Sequence, residues 1–107
     1  MNGNYHTYKS CIDACLNCAA LCHHCASADL KEGKEMAACA QLCMECAAVC
    51  EACAKVMSLG SEKSKDLCKV CAEFCDRCAE ECCKHDHKHC KECCDACQKC
   101  AQACRSI

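Results

Sequence analysis

In residues 43–53, CMECAAVCEAC, a cysteine recurs at every third or fourth position, and the same rhythm returns in four separate blocks of the chain. The blocks are Cys11, Cys15, Cys18, Cys22 and Cys25; Cys39, Cys43, Cys46, Cys50 and Cys53; Cys68, Cys71, Cys75, Cys78 and Cys82; and Cys90, Cys93, Cys97, Cys100 and Cys104. Alternation between three and four is the a and d seam of helices in a left-handed bundle, because a 3.5-residue repeat keeps one stripe turned toward the partners. A strand needs period two. The spacing therefore predicts an all-α, up-down-up-down antiparallel four-helix bundle with a cysteine-lined core.

The intervening segments agree. ASADLKEGKEM, MSLGSEKSKD and KHDHKH are short and polar, with Gly33 and Gly60 placed as helix C-caps and Ser61 as an N-cap. Cysteine is a mediocre helix former, so its neighbours must hold the helices. Small Ala40, Ala47, Ala54, Ala72, Ala79 and Ala101 flank the seam on one side, and larger Leu21, Leu42, Val49, Val56, Leu67 and Phe74 on the other. Outer positions such as Glu45, Lys55, Lys69, Glu73, Asp76 and Glu80 are charged and read as a solvated face.

Composition closes other routes. With 22 Cys, one Phe, no Trp and no Pro in 107 residues, neither an aromatic core nor a strand-rich fold is available, and residues 1–107 are expected to form one domain. A net charge of −2 with mixed signs offers no basic face for nucleic acid. The stretch MNGNYHTYKS lacks the apolar centre of a secretory signal, and no apolar run is expected to span a membrane, so a cytosolic chain is expected. Thiols in a reducing compartment are more often metal ligands or redox groups than disulfides.

Antiparallel counting stacks the blocks into five layers of four: Cys11, Cys53, Cys68, Cys104; Cys15, Cys50, Cys71, Cys100; Cys18, Cys46, Cys75, Cys97; Cys22, Cys43, Cys78, Cys93; and Cys25, Cys39, Cys82, Cys90. The seam runs about 21 Å at ~1.5 Å per residue. Cys83 and Cys94 fall at b and e positions, outside this count, and are carried as two further metal-ligand candidates.

Leu or Ile would bury more apolar area than Cys, so the sulfur is there for its own chemistry. Residues four apart bring Cβ atoms to about 5–6 Å, and two thiolates so placed can span one ion at ~2.3 Å per bond. Pairs of this type are Cys11/Cys15, Cys18/Cys22, Cys39/Cys43, Cys46/Cys50, Cys71/Cys75, Cys78/Cys82, Cys90/Cys94, Cys93/Cys97 and Cys100/Cys104. Two-coordinate sulfur suits Cu(I), whereas Zn(II) wants four ligands. Five Zn(II) among 20 ionised thiols would leave about ten negative charges in a dry core, while about 20 Cu(I) would leave none. The ferredoxin cysteine run that ends in Cys-Pro is absent. Two rivals stay open: a zinc or mixed soft-metal sink, and a thiol/disulfide redox protein, for which one low-pKa cysteine would be expected. No enzyme activity is expected.

The two ends of the seam differ. One step past Cys25, Cys39, Cys82 and Cys90 come Asp29, Met36, His85 and Asp86, with His87 and His89 beside them, all copper or proton ligands by type. The other end reaches Tyr8, Met57, Ser64 and Ile107, mostly an apolar plug. Ions are expected to load at the His/Met end. His6, His23 and His24 read as surface residues.

Repeated CAxxCxxC units, as in CAAVCEAC and CAEFCDRCAEECCKHDHKHCKECCDACQKCAQAC, together with the turn CCKHDHKHC, resemble the bacterial cytosolic copper storage proteins over essentially the whole chain. The resemblance implies a homotetramer of four-helix bundles, each holding many Cu(I) ions on seam thiolates and loading through the His-bearing end; a chaperone or small thiol is expected as the copper donor. It carries over the seam cysteines, Met36, Asp29, His85 and His87. Cys83 and Cys94 depart from the family pattern.

Overall fold

The computed structural model describes residues 5–107; the part of the N-terminal reading that rests on residues 1–4 lies outside the described residues. Four helices follow one another: α1 (Tyr5–Glu32), α2 (Ala37–Ser58), α3 (Ser64–Cys82) and α4 (Lys88–Arg105). A single 3₁₀ turn, Lys34–Met36, leads into α2. Each helix packs on its two neighbours in a closed square, α1 against α2 and α4, and α3 against α2 and α4. The result is a rod of 49 × 17 × 17 Å. It is the antiparallel bundle that the cysteine rhythm predicts.

Small residues let the helices approach. Ala40, Ala47, Ala54, Ala72, Ala79 and Ala101 are all buried, while Leu21, Leu42, Val49, Val56, Leu67 and Phe74 are half-buried and shield the seam. The connections use local chemistry. Gly60, at φ 68°, ends α2 by donating its N–H to the Met57 carbonyl at 2.9 Å, and Ser61 N–H reaches the Val56 carbonyl at 3.3 Å. This paired closure needs a left-handed residue, which glycine adopts without strain. The Ser61 hydroxyl accepts the Lys63 N–H at 3.0 Å in the turn before α3.

Two expectations need correction. The stretch Lys34–Ser58 is long and apolar enough, by length and composition, to cross a membrane, although no such run was expected. Its apolar character comes from buried alanine and cysteine facing the bundle interior. Cys83 and Cys94, read as metal ligands, stand off the seam, Cys83 exposed and Cys94 buried at the edge of the core, and are joined to each other by a disulfide, with Cα atoms 5.4 Å apart, so they are not free thiols in this structure. The predicted ligand pair Cys90/Cys94 is therefore not formed. A b position of α3 meets an e position of α4 where the two helices pack side by side.

Candidate metal centre

All twenty seam cysteines are free thiols no more than 2% exposed. Helix periodicity points them inward, and antiparallel packing sets them level. The counted layers are visible in sulfur–sulfur contacts: Cys11 to Cys104 at 3.7 Å and Cys53 to Cys68 at 3.5 Å; Cys15 to Cys100 at 3.7 Å and Cys50 to Cys71 at 3.8 Å; Cys18 to Cys97 and Cys46 to Cys75 at 3.7 Å; Cys22 to Cys93 and Cys43 to Cys78 at 3.7 Å; Cys25 to Cys90 at 3.9 Å and Cys39 to Cys82 at 3.5 Å.

Other contacts stitch the layers together. Cys15 lies 4.0 Å from Cys104, Cys22 3.9 Å from Cys97, Cys43 3.7 Å from Cys82 and Cys50 3.8 Å from Cys75. Of the predicted pairs four apart, Cys18/Cys22, Cys46/Cys50, Cys78/Cys82 and Cys93/Cys97 lie 3.9–4.0 Å apart. Groups of four sulfurs within 4.8 Å of one another overlap: Cys18 and Cys46 belong both with Cys50 and Cys75 and with Cys22 and Cys97. A sulfur shared between groups cannot serve isolated tetrahedral sites without bridging. Shared sulfurs suit ions linked through common thiolates.

The contacts also move protons. Hydrogen bonding with Cys104 pulls Cys53 down to about 5, and hydrogen bonding with Cys22 pulls Cys78 down to about 6. Cys93 and Cys100 are held below the ordinary thiol range, chiefly by hydrogen bonds with Cys22 and Cys104 respectively. Cys50 is pushed up, with Cys100 the largest cause. Burial pushes Cys90 up to about 12, and the charges of Cys25 and Asp29 add to it.

At the end carrying KHDHKH, Asp29 is buried beneath the last layer. Its Oδ1 accepts from His89 Nε2 at 2.9 Å and from Cys90 Sγ at 3.7 Å, and its Oδ2 accepts from Cys25 Sγ at 3.8 Å. Met36 is buried close to the same end of the bundle. His89 stacks on His87 at 5.1 Å between ring centres and meets His24 edge-on at 6.4 Å. His87 is exposed, with Nδ1 3.9 Å from a Glu32 carboxylate oxygen. His85 turns sideways, its Nε2 2.8 Å from Glu81 Oε2, which lowers the Glu81 pKa. The structure thus unites Asp29 with the last thiol layer, holds His87 at the rim and engages His85 with Glu81.

Sequence reasoning left His89 out of the carried-over ligands, while His24 is exposed, as a surface residue should be. The available signal was that His89 directly precedes Cys90 within α4, one step round the helix toward α1 and Asp29. At the opposite end, Tyr8 and Ile107 are partly buried against the core. Met57 is more than a plug: its Sδ lies 3.6 Å from Cys68 Sγ and extends the line of sulfur. Ser64 is fully buried there, with no hydrogen-bond partner for its hydroxyl.

A family model described as copper storage protein matches residues 4–107. The cysteine-rich protein YhjQ of Bacillus subtilis (strain 168) is 41% identical over 83 residues, which are 76% of this chain and 77% of that one. The Cu(I)-bound copper storage protein BsCsp3 superposes with a TM-score of 0.89 at 40% identity, covering 92% of this chain and 95% of its own. A cytosolic copper storage protein from Streptomyces lividans, solved during copper loading with five coppers, superposes with a TM-score of 0.89 at 36% identity, covering 94% of this chain and 91% of its own.

Proposed function

The chain belongs to the copper storage protein family, and from that premise we propose that its thiol-lined interior stores and buffers many Cu(I) ions in the cytosol, as one domain and without catalysing a reaction. One observation carries the reading: twenty buried thiols in unbroken contact along the bundle. Soft thiolates select a soft monovalent cation. Bridging by about one Cu(I) per thiolate leaves the interior neutral, whereas filling it with Zn(II) leaves charge that costs several kcal/mol per buried ion. The ligands are the twenty seam cysteines.

Loading runs through the end holding Asp29, Met36, His87 and His89. A carboxylate, a thioether and imidazoles bind Cu(I) less firmly than paired thiolates, so they pass it inward by exchange. His85 takes part once it parts from Glu81. A donor chaperone or small thiol supplies the ions. Assembly as a homotetramer fits the exposed Leu16 and Leu59, which line a shallow apolar depression with Ala54 and Lys55.

Paired anaerobic titrations of the reduced protein test the reading. Copper(I) from a chromophoric chelator is expected to bind to about 20 per chain, one per seam thiol, and Zn(II) to about five, one per four-thiolate group. Equal plateaus near five would favour the zinc sink.

A further inference from the structure

The Cys83–Cys94 pair stands off the seam formed by the twenty free thiols. Cys83 is the exposed residue that closes α3, and Cys94 lies in the second turn of α4. Cys94 is buried at 8% exposure and the twenty seam cysteines are buried inside, so Cys83 is the one exposed cysteine among the described residues. The pair brackets residues 84–93, the turn and first helical residues that carry His85, His87 and His89, so it stands beside the loading end. Lys91 Nζ donates to the Cys83 carbonyl at 3.2 Å, and the Gln98 amide lies 4.0 Å from Cys83 Sγ. Cys83 is therefore the cysteine that another protein's thiolate can reach without parting the helices, and Cys94 is its bonded partner on the buried side.

We propose that the reduced pair is a two-thiolate landing site entered through the exposed Cys83, taking Cu(I) from a bis-thiolate donor and relaying it to the adjacent mouth, and that disulfide formation closes this site. The proposal rests on the reading of the chain as a copper store. Its chemistry balances with a small-molecule thiol as reductant: two such thiols give up two electrons and become one small disulfide, and the Cys83–Cys94 bond becomes two thiols. These lose two protons as Cu(I) binds, leaving a complex of charge −1 beside the Lys91 ammonium. The sulfurs must stand about 4.6 Å apart for linear ligation at ~2.3 Å per bond. Rotation about each Cα–Cβ bond supplies this across a Cα separation of 5.4 Å. Exchange with the donor proceeds by attack of an incoming thiolate on copper and departure of an outgoing one, with no change of oxidation state.

A disulfide could instead act only as a clamp on the turn, and three forms of the full-length chain separate the two. They are the reduced protein; the protein whose Cys83–Cys94 pair has been oxidised with one equivalent of a small-molecule disulfide, its seam thiols counted as still reduced; and the reduced double variant Cys83→Ala/Cys94→Ala. Alanine suits both helical positions, and circular dichroism checks the fold. The readout is the anaerobic rate of Cu(I) transfer from a synthetic CxxC peptide, with final capacity measured alongside. The expected result is that the reduced protein loads several-fold faster than both other forms, which match each other, while capacity in all three stays near 20 per chain, one per seam thiol. A double variant as fast as the reduced protein would overturn the landing site and leave a clamp, and equal rates for all three would overturn both. Loss of capacity in every form would strike the storage reading itself.

Discussion

Asp29 shows most clearly what one residue contributes. A carboxylate this deeply buried needs partners, and it has three: the His89 imidazole and the thiols of Cys25 and Cys90. His89→Ala removes the strongest of them. It is expected to lower apo-protein stability by about 1–3 kcal/mol, the cost of a broken buried hydrogen bond, and to slow Cu(I) loading without changing capacity. His85→Ala should slow loading less, since that imidazole faces Glu81. Stopped-flow transfer from a chelator measures both variants. Cys90 gives a pH signature. Its thiol rises from 9.0 to about 12 on folding, so its contribution to stability is present below pH 9 and is lost as pH rises toward 12. Thermal unfolding of the apo-protein across that window should fall, and fall less steeply in Cys90→Ala. Asp29 and Met36 were legible in the sequence because they continue the seam count. His89 was not, because its role depends on α4 beginning at Lys88 and turning that residue toward α1.

Between residues and the whole stand the helices, whose sulfur stripes were fully legible because spacing alone fixes which face turns inward. Their neighbours carry the helices, so thiols can be removed singly. Cys46 and Cys50 lie 3.9 Å apart on α2, each within 3.8 Å of Cys75. Changing both to Ala should cost roughly 1 kcal/mol per thiol in buried contact, lower the copper plateau by a few ions and leave the far-ultraviolet circular dichroism unchanged. Gly60→Ala acts on the connection instead. A left-handed φ of 68° disfavours alanine by about 1 kcal/mol, which thermal unfolding should register with copper capacity intact. The Cys83–Cys94 bond was not legible, because a seam pattern fixes inward faces but not how the outer flanks of α3 and α4 abut. Nor did the apolar length of α2 announce itself, since its buried cysteines and alanines count as apolar without being a lipid-facing run.

For the molecule as a whole, the layers followed from antiparallel counting, and every counted layer is found as direct sulfur contacts. Protonated thiols pack as small hydrophobes, so the reduced apo-protein should already be helical, unlike a zinc finger that folds only with its metal. A random-coil circular dichroism spectrum would contradict a preformed interior. The central claim is that copper fills a neutral lattice of bridging thiolates, and proton release reports this directly. In a weakly buffered anaerobic titration, Cu(I) uptake by the reduced protein should saturate at about 20, with more protons released per ion at first, while thiolates are unshared, and about one per ion or fewer averaged over the whole titration. A release of about two protons per Cu(I), with saturation near ten, would mean isolated two-thiolate sites carrying net negative charge and would contradict the account.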